Sequence, residues 1–227
     1  MAVKKDGAIR LSPSSLNLFL ECPRCFYLEQ KEGVKRPRGP FPSLPGGMDL
    51  LIKKYFDRYR MRGSMPPEIK GKVEGELFPD IEVLEKWRNW RTGLRHDDTE
   101  LGASLVGALD DCLIHENRYI PLDYKTRGFD VKENGVNYYQ NQLDCYAFLL
   151  DRNDLPSAGY AYLLYYIPRE VNEGGAVTFS VEPYRVATDS SRAEKTFRDA
   201  VALLRGPLPE EGHSVCEFCR WGASESN

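Results

Sequence analysis

Two cysteine pairs at opposite ends of the chain constrain its fold more than any other feature. Cys22 and Cys25 form the first pair, and Cys216 and Cys219 form the second. A CxxC turn lets two thiolates bind one metal, and two such turns complete a four-sulfur coordination sphere. We therefore expect the two ends of the chain to meet at a metal site. Its loss should loosen the entire fold, because the site closes a loop of nearly the whole chain. A redox dithiol or chance spacing is the alternative.

Composition and charge indicate an ordinary globular protein. The 227 residues are 41% hydrophobic and 29% charged, with a formal net charge of −3. We expect one domain over residues 1–227, in which residues 11–28 and 216–219 form a cysteine subdomain. Because the net charge is negative, any DNA-binding surface must be a local patch.

The sequence also limits the compartment. No apolar run approaches the roughly 20 residues that span a bilayer, and the first ten residues lack the apolar segment of a signal peptide. We expect a cytoplasmic protein without a membrane partner, in which disulfides do not form. Cys112 and Cys145 stand alone in apolar contexts and are expected in the core.

The middle of the chain predicts a β-hairpin. Strands over residues 107–114 and 119–125 are joined by a polar turn at residues 115–118. Side chains on a strand alternate between its faces, so Leu122 and Tyr124 should point into a core.

Charged residues occupy the other face of this hairpin. Asp123 and Lys125 share one side of their strand, and antiparallel pairing can bring Asp110 alongside them. Two carboxylates beside an ammonium form a site suited to a hard divalent cation. The alternative is the solvated face of an ordinary sheet.

Further segments predict helices and strands of a mixed α/β domain. The first predicted helix begins after Ser12, with Pro13 at the first helical position and Leu16, Phe19 and Leu20 on one face. Further helices are predicted over residues 48–60, 81–90, 138–150 and 191–204. The later strands are predicted over residues 158–167, where Pro168 ends the strand, and over residues 177–186. Trp87 and Trp90 are expected in the core rather than on a base-stacking surface. Residues 223–227 are expected to form a disordered tail.

Two segments of the chain carry candidate binding residues. Residues 31–47 are rich in Pro and Gly and predict a loop, whose Lys35, Arg36 and Arg38 could contact phosphates or simply be solvated. Within the helix over residues 138–150, Gln142 and Tyr146 are four residues apart and share a face. Such a pair could also be purely structural.

The order of these motifs resembles the PD-(D/E)XK nuclease superfamily. The pattern runs from Gly107-x-x-Asp110 through Asp123-x-Lys125 to Gln142-x-x-x-Tyr146, and the last motif, with the segment Leu11–Leu28, is similar to the RecB-like branch. The resemblance implies a restriction-endonuclease-like α/β core, with a central mixed β-sheet flanked by helices. It also implies a nuclease that hydrolyses DNA at ends or in single strands, in repair, recombination or defence, either alone or beside a helicase.

The resemblance implies a role for each candidate catalytic residue. Asp110, Asp123 and the Tyr124 carbonyl would bind Mg²⁺ or Mn²⁺, and Lys125 would orient water or stabilise charge. Gln142 and Tyr146 would position the DNA strand or Lys125; their implied roles do not include metal binding.

Two departures from the branch matter. Its members commonly carry a metal-binding histidine on the helix before the motifs, whereas residues 47–60 contain none and Asp49 is the candidate substitute. Several members of the branch, including CRISPR-adaptation nucleases and AddB-type helicase-nucleases, hold a [4Fe-4S] cluster. In these members one cysteine precedes the nuclease motifs and three follow them. Here the cysteines divide two and two, so Zn²⁺ is the alternative to the cluster.

Two other functions stay open on the sequence. The first is a nuclease-fold module that binds DNA or a helicase without cutting, which the missing histidine favours. The second is a thiol-ligated zinc domain that serves assembly, with an ordinary hairpin at residues 110–125. The chain has no Walker-type phosphate loop, so any ATP-driven unwinding would come from a partner.

Overall fold

The structure, a computed structural model, describes residues 8–37, 39, 43–131 and 135–224, with side chains as far as residue 220. This part of the chain contains seven α-helices and eight strands. The helices are α1 (Pro13–Glu21), α2 (Pro23–Tyr27), α3 (Ser43–Arg60), α4 (Ile81–Arg88), α5 (Gln140–Asp151), α6 (Ser190–Arg205) and α7 (Glu217–Ser224). The strands are β1 (Ile9–Leu11), β2 (Glu76–Leu77), β3 (Leu94–Asp98), β4 (Ala103–Gly107), β5 (Asp111–His115), β6 (Arg118–Thr126), β7 (Tyr160–Val171) and β8 (Val177–Ala187).

The strands form two mixed hydrogen-bonded sheets. One has the order β1-β4-β3, and the other has the order β2-β5-β6-β7-β8. The pairs β1–β4 and β6–β7 are parallel, and the remaining neighbours are antiparallel. The predicted α/β class with a mixed sheet flanked by helices is therefore confirmed.

Strand β6 separates two parts of the core. Its Leu122 and Tyr124 are buried together with Ile52 and Phe56 of α3, and the Phe56 and Tyr124 rings meet edge to face with centroids 4.9 Å apart. On the opposite side of the sheet, α5 and α6 cover a second apolar cluster that includes Leu143. The predicted alternation along β6 thus puts its apolar side chains against α3 and leaves its charged side chains facing α5.

The hairpin differs from its prediction at one end. Residues 107–114 do not form one strand, because Gly107 ends β4 while β5 begins at Asp111. A Cβ on Gly107 would lie 2.6 Å from Leu149 Cδ1 of α5, so any larger residue would require the Leu149 side chain to shift. The intervening segment turns the chain from one sheet into the other and carries Asp110.

A buried charge cluster holds the start of β5 in place. The fully buried Asp111 carboxylate accepts hydrogen bonds from Arg60, from Arg88 at 3.0 Å and from the Tyr124 hydroxyl at 2.5 Å. Both arginines also bind Asp57. A buried carboxylate is tolerated only when it is paired and hydrogen-bonded, so α3 and α4 are fixed to the strand start that follows Asp110.

Several helix boundaries and faces depart from prediction. Residues 31–47 are not all loop, because 31–32 end a short π-helical turn and α3 begins at Ser43. Pro45 fits the first turn of α3, where backbone N–H groups have no helical partner. The Ser12 cap and Pro13 are confirmed. Leu20 is exposed rather than packed on the apolar face of α1.

The later elements differ in two ways. Strand β7 continues through Pro168 to Val171, with a register irregularity between Pro168 and Glu170 that accommodates the missing N–H. The expected tail is partly helical, since α7 reaches Ser224, and residues 225–227 lie outside the described part. Helices α4, α5 and α6 and strand β8 match their predictions to within about two residues.

The two tryptophans of the α4 region have different environments. Trp87 lies in the core as predicted, and its ring stacks on Phe78 with centroids 4.7 Å apart. Trp90 is 67% exposed, so the prediction of a core residue is wrong there. Helix α4 ends at Arg88, before Trp90 can continue its apolar face. The two lone cysteines, Cys112 and Cys145, are buried as predicted.

The charge cluster predicts the effect of a single substitution. Asp111→Asn keeps the shape of the side chain but removes one of the two carboxylates that Arg60 and Arg88 share, the other being Asp57. We expect a loss of about 3–5 kcal/mol in the free energy of unfolding, measured by urea denaturation. The matched control is Asp97→Asn, which breaks a half-exposed pair with Arg95 and should cost about 1 kcal/mol or less. Equal losses in the two variants would contradict this account.

Candidate active site and four-cysteine centre

The charged face of β6 forms the centre of the candidate active site. Asp123 is fully buried, and Lys125 Nζ forms an ion pair with Asp123 Oδ2. Despite that contact, Oδ2 accepts no well-directed hydrogen bond. Lys125 also lies over the Tyr139 ring, with its Nζ 4.5 Å from the ring centroid. A buried carboxylate whose charge is met by a single ammonium group is a suitable ligand for a hard cation.

Asp110 reaches the same place from the segment between β4 and β5. Asp111 pairs with Leu122 in the sheet register, so Asp110 comes opposite Asp123, and the two carboxylates are close enough to interact. Arg88 Nε donates a hydrogen bond to the Asp110 backbone carbonyl at 2.7 Å. The hairpin therefore brings the two predicted carboxylates together as expected.

A lysine that the sequence analysis missed brings a second ammonium group to the site. Lys53 of α3 forms ion pairs with Asp110 at 2.7 Å and with Asp49 at 2.8 Å. Asp49, the candidate substitute for the histidine ligand, therefore approaches the site through Lys53, and its metal-binding role stays a prediction. The signal that could have revealed Lys53 is its spacing of four residues from Asp49, which puts both on one face of α3.

Burial and charge act in opposite directions on the titration of this site. Burial raises the pKa of Asp123 to about 7, with the Asp110 carboxylate adding to the rise and Lys125 opposing it. Burial alone would lower the pKa of Lys125, but attraction to Asp123 outweighs it, so that the pKa is raised. Asp123 thus gains or loses its proton within the neutral range.

Helix α5 links the two carboxylate strands. Gln142 Nε2 donates to Asp123 Oδ1 at 3.0 Å and to the Tyr146 hydroxyl at 2.7 Å. The Tyr146 hydroxyl in turn donates to the Ala108 carbonyl at 2.7 Å, two residues before Asp110. The predicted pair on one helical face therefore contacts both sides of the site.

The three predicted phosphate-binding residues do not form one cluster in the part of the chain that the structure describes. Arg36 forms an ion pair with Glu21 at 2.8 Å, its Nη2 donates to Cys216 Sγ at 3.5 Å, and it lies over the Phe218 ring. These contacts hold the Arg36 side chain beside the cysteine centre. Lys35 is exposed, and Arg38 lies outside the described residues.

An open groove of about 680 Å³ leads to Gln142 and Tyr146. Its other lining residues include Arg10, Lys35 and the exposed Trp90. Arg10 Nη2 donates to the Trp90 backbone carbonyl at 3.1 Å, and the Arg91 guanidinium lies over the Trp90 ring, 4.9 Å from its centroid. The groove thus combines an aromatic surface with positive charge, as sites for single-stranded nucleic acid do.

The four paired cysteines form a second centre away from this groove. Their Sγ atoms all lie within 4.8 Å of one another. Individual separations are 3.6 Å for Cys22–Cys219, 3.6 Å for Cys25–Cys216 and 3.4 Å for Cys25–Cys219. Cys22 follows directly after α1, while Cys216 precedes α7, so the two ends of the described chain meet as predicted.

Comparison with protein-family models identifies the family to which this chain belongs. A family model described as the PD-(D/E)XK nuclease superfamily matches residues 45–224, which include both carboxylates, Lys125 and most of the described elements. The chain belongs to the PD-(D/E)XK nuclease superfamily. No curated protein matches the sequence significantly. No helix in the described ranges has both the length and the apolar character needed to cross a bilayer.

Membership in this superfamily indicates the kind of chemistry that the candidate active site could support. The PD-(D/E)XK superfamily generally comprises metal-dependent nucleases that act on nucleic acid. The assignment of the superfamily motif to Asp110, Asp123 and Lys125 stays a prediction. The donor set consists of hard oxygen atoms, which fits Mg²⁺ or Mn²⁺.

The raised pKa of Asp123 predicts how pH controls metal binding. A carboxylate must lose its proton before it ligates a cation, so protons compete with metal below the pKa of about 7. We expect the Mn²⁺ affinity of the site to fall by up to tenfold for each pH unit below that value, and to level off above it.

Calorimetric titration of Mn²⁺ across this pH range measures the effect. The Asp199→Asn variant removes an exposed carboxylate paired with Lys195 and should keep the same pH profile. An affinity independent of pH in the wild-type protein would show that Asp123 does not titrate as a ligand.

Proposed function

We propose that this chain is a metal-dependent nuclease that hydrolyses phosphodiester bonds in DNA, at ends or in single strands. The observation that carries the proposal is the meeting of Asp110, Asp123 and Lys125, with the Asp123 carboxylate fully buried and its Oδ2 in an ion pair with Lys125. This combination provides negative ligands for a cation and a positive group beside them.

Each residue has a distinct task in this proposal. Asp110 and Asp123 bind a divalent ion, together with the backbone carbonyl of Tyr124, whose hydroxyl is already bound to Asp111. Such an ion polarises the phosphate and lowers the pKa of bound water. Lys125 orients the attacking water or stabilises the charge that develops on the phosphate.

Helix α5 positions these groups. Gln142 holds Asp123 Oδ1, and Tyr146 fixes Gln142 and the Ala108 carbonyl. This pair therefore sets the orientation of Asp123 relative to the segment that carries Asp110. The Gln-x-x-x-Tyr arrangement supports the finer assignment to the RecB-like branch. We place the activity in the cytoplasm, in repair, recombination or defence, alone or beside a helicase.

A second candidate function is a nuclease-fold module that binds DNA without efficient cutting. The contact of Lys53 with Asp110 favours it, because that ammonium neutralises a metal ligand and must be displaced or shared when a cation binds. The lack of a histidine on α3 favours it as well. The intact Asp123 and Lys125 argue for catalysis.

A cleavage assay distinguishes the two functions. End-labelled single- and double-stranded DNA is incubated with the full chain and Mn²⁺ or Mg²⁺. We expect cleavage that Asp123→Asn abolishes, and that Lys125→Met lowers by roughly 100-fold because a charge-stabilising donor is lost. The thermal unfolding of both variants is measured in parallel, so that misfolding is recognised.

Matched controls come from an exposed ion pair of α6. Lys195→Met and Asp199→Asn remove the same charges far from the site and should leave cleavage unchanged. Equal cleavage by wild type and both site variants would point to a contaminating nuclease and contradict the proposal. DNA binding without cleavage in metal-loaded wild-type protein would support the binding module.

The groove gives a separate prediction about DNA binding. Trp90→Ala should weaken binding of single-stranded DNA by about 1–3 kcal/mol, because the exposed indole offers a stacking surface for a base. Fluorescence anisotropy in the Asp123→Asn background measures binding without cleavage. Trp90→Phe should recover much of the affinity, whereas Met61→Ala, at another exposed apolar position, should have no effect. Unchanged affinity in Trp90→Ala would exclude the groove as the path of the strand.

A further inference from the structure

We propose that Cys22, Cys25, Cys216 and Cys219 hold a single zinc ion and not an iron–sulfur cluster. The proposal concerns a centre separate from the carboxylate site, and it does not depend on nuclease activity. It rests on the separations of the four sulfur atoms, on the spacing of the cysteines and on the groups that surround them.

The sulfur separations fit one tetrahedral ion. Zinc–thiolate bonds of about 2.3 Å place the sulfurs of a regular ZnS₄ tetrahedron about 3.8 Å apart. Three of the Sγ separations here are 3.4, 3.6 and 3.6 Å, and all four atoms lie within 4.8 Å of one another. The ligand shell is therefore close to the size that one zinc ion requires.

The same separations do not fit a [4Fe-4S] cluster. Each cysteine of such a centre binds a different iron, so the irons and sulfides of the cluster stand between the thiolates and hold them farther apart than a single ion does. Cys25 lies against two of the other sulfurs, which leaves no space for a cluster between them. The resemblance to iron–sulfur nucleases implied a cluster; the geometry of this chain favours the zinc alternative.

The sequence spacing supports the same assignment. Each pair is a CxxC turn, and two such turns from separate parts of a chain form the usual four-cysteine structural zinc site. The cysteines of the iron–sulfur relatives divide one and three across the nuclease motifs, whereas these divide two and two.

Neighbouring donors compensate the charge that four thiolates would bring. Four thiolates around Zn²⁺ carry a net charge of −2, so donors that face the sulfurs stabilise the site. Arg36 Nη2 donates to Cys216 Sγ at 3.5 Å, and the His213 backbone N–H donates to Cys22 Sγ at 3.4 Å. Arg36 is itself held by Glu21 and Phe218.

The zinc ion would stabilise one end of the chain more than the other. The first pair lies on a segment anchored in the core through Leu16 and Phe26, which are fully buried. Between Gly206 and Arg220, by contrast, Cys216 is the single buried residue. Zinc removal should therefore release the C-terminal segment locally, in place of the global loosening that loop length alone suggests.

Metal analysis of the full-length protein tests the proposal. The protein is expressed in medium that contains both iron and zinc and is purified without oxygen, so that an oxygen-sensitive cluster survives. Elemental analysis should find about one zinc ion per chain, with neither stoichiometric iron nor acid-labile sulfide, and no visible absorption. Cobalt exchanged into the wild-type protein should give the absorption bands of a tetrahedral thiolate complex.

Variants and proteolysis provide the controls. Cys219→Ser should lower the zinc content, while Cys145→Ala, at a buried cysteine remote from the centre, should retain it. After zinc removal from wild-type protein, limited proteolysis should cut between Gly206 and Arg220 and leave the remainder intact. Stoichiometric iron and sulfide would overturn the proposal. So would a folded protein that holds neither metal and whose four cysteines react freely with a thiol reagent.

Discussion

The buried Asp111 carboxylate is the constraint on which the rest of the site depends. A charge removed from water must be paired and hydrogen-bonded, and here Arg60 and Arg88 meet that need from α3 and α4. Because Arg88 also binds the Asp110 carbonyl, the same interaction fixes the backbone of the neighbouring carboxylate. Asp110 can therefore face the cation site without help from its own side-chain contacts. The two adjacent aspartates therefore have different environments: Asp111 stabilises the fold, whereas the Asp110 carboxylate faces the candidate cation site.

The active site itself is left with unbalanced charge. Three carboxylates, Asp49, Asp110 and Asp123, share the two ammonium groups of Lys53 and Lys125. Burial holds the pKa of Asp123 near neutrality, which shows how poorly the metal-free site accommodates its full negative charge. A divalent cation would supply the missing charge and displace the proton.

Local patterns predicted the parts of the fold that local physics determines. Alternation along β6 gave the faces of Asp123 and Leu122, and a spacing of four gave the shared face of Gln142 and Tyr146. The Asp111 cluster joins residues 23 and 51 positions apart, and no periodicity identifies such partners. Trp90 was misassigned for a related reason, since its exposure depends on where α4 ends. Whether a cysteine quartet fits an ion or a cluster likewise depends on three-dimensional separations that spacing alone leaves open.

The central claim is that Asp110 and Asp123 together form a divalent-cation site beside Lys125. A crystal of the protein grown with Mn²⁺, with diffraction recorded near the manganese absorption edge, tests it most directly. The account predicts an anomalous peak within about 2.0–2.6 Å of oxygen atoms from both carboxylates, with Lys53 shifted from its contact with Asp110. A crystal whose anomalous signal lies elsewhere, with both carboxylates still paired to lysines, would contradict the account.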